Sequence, residues 1–549
     1  MLLVGPYDPH CGEYTFLAPP LGVWRLAGVL TEHGAVADVF DPNCCDGPPE
    51  AAFAAVLRQP WDVIGISTTN MTLRFDLALA HQARRARPEA VLVAGGMEAT
   101  FRPELMFELA PFDLAVLGEG ERPLVELVDR LRAGAGAADL TGIAGTAHPR
   151  PDGGFALHHQ VALTAAELRR SIFLTPYERM PYRSYWERLE AAYRIGRLPM
   201  KADREARLAE IRSVRLITLN YCPMNCAFCS ATNFLHAAQG GIARLGRIGP
   251  EDVLAMLGRI VSTHPEVRTV IFQDDIFVFT SDSRILPLCE AIVAAKESGG
   301  LPPDLQFIST NRIDAMTPER LAAMRRAGFR VLGFGIESFS PAVLAEFNKS
   351  RIYPHVAPVL ETALGLGITP FLDLILTSPR CGLGDLAETL RQAFRWLLAG
   401  CEVGMYPYVI PFSGAAMAED PSLVEHTISR RWRIAGTAVE WDQPVKIPPV
   451  DPLTREVILA VEADFERRLA ILHERVAHLP SRVRSLLWIV CAVPHLRRHG
   501  EAMPSLEAAL AALAARLPRF DRDDTGGLAE LLGDRPGRVA MIAAAAAPA

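Results

Sequence analysis

Two series of alternating strand and helix, separated by a stretch without that rhythm, constrain this 549-residue chain more than any other feature. In the first, apolar strand-like runs at 1–5, 36–40, 63–67, 90–94 and 114–117 alternate with amphipathic helical stretches such as 22–33 and 73–85. Strands that each return through a helix pair in parallel, which predicts a doubly wound parallel sheet over residues 1–140. The second series, within 212–414, has strand candidates at 214–219, 269–272, 305–309, 331–336, 371–376 and 404–410, the first five followed by helices. Six repeats are too few for the common eight-stranded barrel. Between the series, 141–211 reads as a connector. It holds a hairpin at 142–159 around Asp152-Gly153-Gly154, then an aromatic-rich helical segment broken by Pro176, Pro181 and Pro199. Residues 415–549 read as mostly helical, with amphipathic runs at 456–476, 483–493 and 506–517 and an Ala-rich end at 543–547.

The first strand of the second series runs into Asn220-Tyr221-Cys222-Pro223-Met224-Asn225-Cys226-Ala227-Phe228-Cys229-Ser230, a C-x3-C-x2-C loop. Thiolates are soft ligands that suit iron–sulfur clusters or zinc. A cubane cluster has four irons, so three cysteines leave one iron open. A zinc site would want a fourth protein ligand, which His236 could supply. Free core cysteines have no reason to gather at fixed spacing in one polar loop.

The C-x3-C-x2-C loop at the end of a first barrel strand, with Phe228 before its last cysteine, resembles the radical S-adenosylmethionine (radical SAM) enzymes. The resemblance implies an open six-repeat barrel with catalysis at the carboxyl ends of its strands. It implies that Cys222, Cys226 and Cys229 hold a [4Fe-4S] cluster whose open iron is chelated by the amino and carboxylate groups of S-adenosylmethionine. At the end of the second barrel strand the family carries Gly-Gly-Glu, and its cobalamin-linked branch commonly an acidic pair, matched here by Asp274 and Asp275. One of the two would accept hydrogen bonds from the methionine ammonium, and an N-cap is the plainer use of either. At the third strand end, Asn311 offers a two-sided amide for ribose and Arg312 a planar fork for a carboxylate. At the fourth, Glu337 would accept from ribose hydroxyls and Ser338 would touch the methionine carboxylate. A salt bridge between Arg312 and Glu337 is the alternative use of that pair.

Ligands of doubly wound sheets bind beyond the carboxyl ends of the strands. In the first series those ends are Ser67-Thr68-Thr69-Asn70, Gly95-Gly96 and Gly118-Glu119-Gly120-Glu121, where glycine lets the backbone approach a large ligand. No G-x-G-x-x-G follows the first strand, which argues against a dinucleotide. Pro19-Pro20-Leu21-Gly22, Gly34, the strand end at 38–41 and the glycine pairs resemble the cobalamin-binding domain that precedes many radical SAM cores. That resemblance makes Ser67, Thr68, Asn70, Gly95, Gly96, Gly118, Glu119 and Gly120 cobalamin-contact candidates. Asp8-Pro9-His10-Cys11-Gly12 is close to the D-x-H-x-x-G motif through which some cobalamin enzymes ligate cobalt. Its glycine comes one residue early, so His10 is more readily an ordinary loop residue, and residues 70–72 could approach that cobalt face instead.

With both cofactors, the resemblance implies a methyltransferase that moves methyl from S-adenosylmethionine via methylcobalamin to a poorly activated carbon of a natural product, peptide or other small substrate. An electron donor such as flavodoxin or ferredoxin would serve it. A cobalamin-linked cyclase or rearrangement enzyme without methylation shares every motif; a cobalamin or redox sensor with a structural cluster is more remote. A net charge of −7 and no Lys/Arg block argue against nucleic acid. The longest apolar stretches, such as 486–493, fall short of a membrane span. The first six residues have no basic leader and read as a strand rather than a signal. Ten cysteines in a chain of this size form no disulfide framework. An oxygen-sensitive cluster needs a reducing compartment, so the expected location is the cytoplasm.

Overall fold

The computed structural model describes residues 1–8, 18–192, 201–475 and 481–501; His10, Pro199 and the runs at 506–517 and 543–547 lie outside them. Its first sheet contains β1 (Leu2–Val4), β2 (Asp38–Phe40), β3 (Val63–Thr68), β4 (Val91–Gly96), β5 (Leu114–Val116), β6 (Thr146–Pro149) and β7 (Phe155–His158), ordered β2-β1-β3-β4-β5-β6-β7. The first five strands are parallel, with Leu3 opposite both Val39 and Gly65. The hairpin expected within the connector forms, and it extends this sheet as antiparallel β6 and β7.

Both faces of the sheet are apolar, as parallel sheets require. Helices Leu21–Glu32 and Glu121–Arg132 cover one face through Val23, Ala27, Leu30, Leu124 and Leu127. Helices Pro49–Val56 and Leu73–Ala86 cover the other, joined there by Ala238, Ile434 and Trp441 from distant parts of the chain.

The second sheet contains β8 (Ser213–Leu216), β9 (Thr269–Phe272), β10 (Gln306–Asn311), β11 (Phe329–Glu337), β12 (Thr369–Ile375) and β13 (Glu402–Tyr406), all parallel and in strict chain order. With β8 and β13 as its two edges, it is a partial (β/α)6 barrel. Alternation sets its faces: Val214, Leu216, Leu332, Phe334, Leu372 and Val403 are buried in the main core. The intervening positions, Ile217, Thr310, Gly333, Gly335, Asp373 and Gly404, fall on the lumen face. Phe272, Phe277, Phe307 and Phe329 stack into one aromatic block, Phe272 and Phe277 with centroids 4.2 Å apart.

The C-terminal region holds the helices Pro452–Arg475 and Ser481–Arg498. Ahead of them lies an antiparallel hairpin, β14 (Ile428–Arg433) and β15 (Glu440–Lys446), which the helical reading of the tail did not include. Its strands are polar on their own, and Ile434 and Trp441 are buried in the core of the first domain, Ile434 completely, a burial that contributes about 1.5–3 kcal/mol. Among the described residues no helix is long and apolar enough to cross a membrane.

Candidate functional site

The cysteine loop is held from both sides. Before it, Asp274 at the end of β9 accepts from the Thr218 and Leu219 amides at 2.6 and 3.0 Å and from the Thr218 hydroxyl at 2.6 Å. The buried Arg284 donates to the same hydroxyl at 2.8 Å. After it, the Ala227 amide donates to the Phe347 carbonyl, the Asn348 side chain to the Asn225 carbonyl at 2.6 Å, and the Met417 amide to the Ala227 carbonyl. Phe228 packs edge-on against Phe347, and the Tyr221 hydroxyl donates to the Ala243 carbonyl. Helix Ala231–Gln239 begins directly after Cys229, whose sulfur accepts from the Ala231 amide at 3.5 Å. A helix N-terminus favours negative charge there.

All three thiols are half-buried and share one environment. Burial pushes Cys222 up to about 12 and Cys229 up to about 11, with further increments from the neighbouring cysteines; Cys226 is also raised. Metal binding would release these protons. His236 packs edge-on against Tyr221. Among the described residues no three His, Cys, Asp or Glu side chains converge on a single metal ion. Corners for a cluster do not need to converge in that way, whereas a tetrahedral zinc site does.

Of the acidic pair, Asp274 is committed to the loop, and burial raises its carboxyl to about 6. Asp275 opens into a cavity of about 170 Å³ whose wall also includes Arg25, Asn220, Tyr221 and Gln273. Protein atoms around that space raise the Asp275 carboxyl. Three other candidates have protein partners. The Asn311 amide is buried and bonded to the Ser309 carbonyl and hydroxyl, which leaves the exposed Thr310 as the lumen residue of that strand end. The Ser338 hydroxyl is buried against Thr389 at 2.8 Å. Arg312 forms a two-pronged pair with Asp314, both contacts 2.7 Å, and not with Glu337.

Glu337 instead meets Lys349 at 2.9 Å. The β11 register shifts between Gly335 and Glu337, and Glu337 turns back with φ 62°. A Cβ on Gly335 would lie 2.5 Å from the Glu337 carboxylate, which would have to move aside for any other residue. Lys349 and Asp373 were missed by the sequence reading. Asp373 occupies the lumen parity of β12, and burial with the Glu337 charge raises it to about 7.

At the first sheet's carboxyl edge, Ser67, Asn70 and Gly95 are only partly buried, and a Cβ on Gly95 would meet nothing within 4 Å. Met71 beside them is 67% exposed. The other five candidates are committed to protein contacts. Thr68 donates to the Gly95 carbonyl at 2.8 Å and accepts from the Ala99 amide. Gly96 has φ 91°, and a Cβ there would stand 2.6 Å from the Thr68 carbonyl. Gly118, φ 71°, lets the helix after the cysteine loop approach: an added Cβ would stand 2.6 Å from that of Ala238. The Glu119 backbone is gripped by the Gln160 amide, and burial raises its carboxyl to about 7. Gly120 would clash with Leu26 if it carried a side chain, at 3.1 Å. Asp76, also unforeseen, is fully buried and accepts from the Tyr7 and Thr69 amides and the Thr72 hydroxyl, tying two edge loops together.

A thiol-lined loop and an open, glycine-floored sheet edge suit a cluster and a corrin respectively. A family model for the B12 binding domain matches residues 9–128, and one for the Radical SAM superfamily matches residues 216–393. An uncharacterized methyltransferase of Pyrococcus horikoshii is 24% identical over 421 residues, 76% of this chain and 81% of its own. The anaerobic magnesium-protoporphyrin IX monomethyl ester cyclase of Rubrivivax gelatinosus is 24% identical over 387 residues, 69% of this chain and 62% of its own. Among solved structures, the cobalamin-dependent S-adenosylmethionine radical enzyme OxsB with aqua-cobalamin bound has a TM-score of 0.61 at 14% identity, covering 99% of this chain and 78% of that one. The radical SAM methyltransferase TsrM of Kitasatospora setae, with tryptophan substrate and a SAM analogue bound, has a TM-score of 0.58 at 14% identity over 78% of each chain. At such identities the structures speak to the fold, and the two family models to the cofactors: cobalamin, a [4Fe-4S] cluster and S-adenosylmethionine. With a B12 binding domain set directly ahead of a radical SAM domain, this chain is a cobalamin-dependent radical SAM enzyme.

Proposed function

We propose that the enzyme is a methyltransferase acting on a poorly activated carbon of a small molecule or peptide. The observation that carries this reading is the direct docking of the cysteine-loop helix on the first sheet's carboxyl edge at Gly118 and Ala238, which joins the two domains there without a spacer. The name of the Pyrococcus relative supports the transfer of methyl in particular.

When bound, the cluster and S-adenosylmethionine supply a radical, and cobalamin supplies a methyl carrier. Cys222, Cys226 and Cys229 hold the cluster, and Phe228, Leu219, Ile276 and Phe279 keep water from it. Asp275 receives the methionine ammonium. Glu337 offers ribose the oxygen that Lys349 leaves free, and the Arg312–Asp314 pair presents a fixed guanidinium at the third strand end. Ser67, Asn70 and Gly95 meet the corrin. A flavodoxin or ferredoxin supplies electrons, and an oxygen-sensitive cluster suits the reducing environment of the cytoplasm.

The Rubrivivax relative favours a second reading, a cobalamin-linked cyclase without methylation. Anaerobic reconstitution with iron, sulfide and cobalamin, followed by mass spectrometry with candidate substrates, separates the two. Methylated product with S-adenosylhomocysteine and deoxyadenosine supports the methyltransferase; deoxyadenosine with an unmethylated product supports the cyclase. A sensor would form neither.

A further inference from the structure

Among the described residues only two besides glycine have a left-handed backbone, Glu337 at φ 62° and Asn348 at φ 58°. This region is uncommon for a residue such as Glu, and both turns converge on one side chain. The first folds the Glu337 carboxylate back over Gly335. The second sends the Asn348 amide to the Asn225 carbonyl and precedes Lys349, which is 8% exposed. There the Lys349 ammonium donates to Glu337 at 2.9 Å and to the Gly335 carbonyl, and it stands 5.9 Å over the Phe228 ring. Asn225 and Phe228 bracket Cys226.

A buried ion pair is weak evidence for stability in itself. Its placement against a metal-ligating loop has a clearer use, because a buried ammonium beside that loop couples to the charge a cluster would bring, even with Glu337 offsetting part of it. We propose that Lys349 is a positioning residue for the iron–sulfur cluster, its ammonium held by Glu337 and Gly335 on the Cys226 side so that it stabilises the more negative, one-electron-reduced state. The inference rests on the three cysteines holding that cluster. Reduction adds one electron from an external low-potential donor.

The test uses full-length, anaerobically reconstituted enzyme without S-adenosylmethionine, titrated with titanium(III) citrate while electron paramagnetic resonance reads the reduced cluster. Lys349→Gln should keep its iron, and at the wild-type midpoint its reduced-to-oxidised ratio should fall about tenfold, which is about 59 mV for one electron. Lys349→Arg keeps the charge and should stay near the wild type. Glu337→Gln removes the opposing anion and should shift the ratio the other way. Fully loaded Lys349→Gln with the wild-type midpoint overturns the inference, as do Lys349→Gln and Glu337→Gln shifting in the same direction. If Lys349→Gln does not load iron, the direction of Glu337→Gln decides. A wild type that takes up no iron and sulfide overturns the cysteine reading and this inference together, and is recognised by the absence of signal from every chain.

Discussion

The two adjacent aspartates make a sharp test because the structure gives them opposite work. Asp274→Ala strands two buried amides and a hydroxyl, and it removes the carboxylate that faces the Arg284 guanidinium, itself 4% exposed. A hydrogen bond to a charged acceptor nets about 1.5–3 kcal/mol. The three share one carboxylate, so their sum is better bounded by the about 3–5 kcal/mol that breaking a buried charged network costs. In a domain of 150–250 residues each kcal/mol moves the melting midpoint about 2–4 °C. A loss of about 4 kcal/mol therefore lowers the barrel's midpoint by about 10 °C, and iron retention should fall with it because Thr218 and Leu219 lead into the cysteine loop. Asp275 makes no hydrogen bond or ion pair among the described residues, so Asp275→Ala should leave the midpoint within about 2 °C. It should weaken S-adenosylmethionine binding about 10- to 100-fold, the equivalent of one charge-assisted hydrogen bond. Anaerobic calorimetry and equilibrium binding on the reconstituted protein measure both quantities. A neutral Asp274→Ala beside a strongly destabilised Asp275→Ala would refute the assignment.

Burial raises the Asp76 carboxyl to about 8 despite its hydrogen bonds. Its contribution to stability is complete below the unfolded value near 4 and is lost as pH rises through about 8. Wild type should therefore melt lower at pH 9 than at pH 6, with a smaller gap in Asp76→Asn. Gly118→Ala meets both a left-handed φ and the Ala238 side chain, so it should part the domain seam and speed proteolysis of the connector at unchanged iron content. Gln443 donates to the Asn70 carbonyl at 2.8 Å; Gln443→Ala should weaken cobalamin binding about fivefold, the worth of one neutral hydrogen bond of about 1 kcal/mol, read from the corrin absorbance.

Strand existence was legible wherever burial repeats within one segment. All six barrel strands lie where alternation of apolar residues placed them, because each buries one face against its own crossover helix. The β14–β15 hairpin was not legible, since Ile434 and Trp441 are buried by helices more than 300 residues earlier in the chain, and nothing local records that. The same distinction runs through the site. Cys222, Cys226 and Cys229 share a loop, so their spacing alone reveals them. The partners of Arg312 and Glu337 depend on which way a strand end turns. Arg312 found Asp314 two residues away, and Glu337 found Lys349 only because its backbone inverts beyond Gly335. The glycines are ambiguous for a related reason: a glycine needed for close approach looks the same in sequence whether a corrin or a helix approaches.

That ambiguity has a structural consequence at Gly118. A radical SAM domain joined only through a linker could sit at any angle, and the linker would set the distance between cofactors. Instead Gly118 admits Ala238 and Leu235, the Gln160 side chain grips the Glu119 backbone while the Gln160 amide donates to the Ala238 carbonyl, and Gly120 closes on Leu26. One strand end of the cobalamin sheet is thus bonded through a single glutamine to the helix Ala231–Gln239, which follows Cys229. A second strap arrives from the other side, where β15 places Gln443 on Asn70 and Arg74 stacks over Trp432 of β14 at 4.0 Å. Two attachments at the carboxyl ends of different strands restrain both translation and rotation, which a single hinge would not. The open edge left between them, at Ser67, Asn70 and Gly95, is then held at a fixed distance from the cysteine loop, a condition for any reaction in which a group on one cofactor must meet a radical generated at the other.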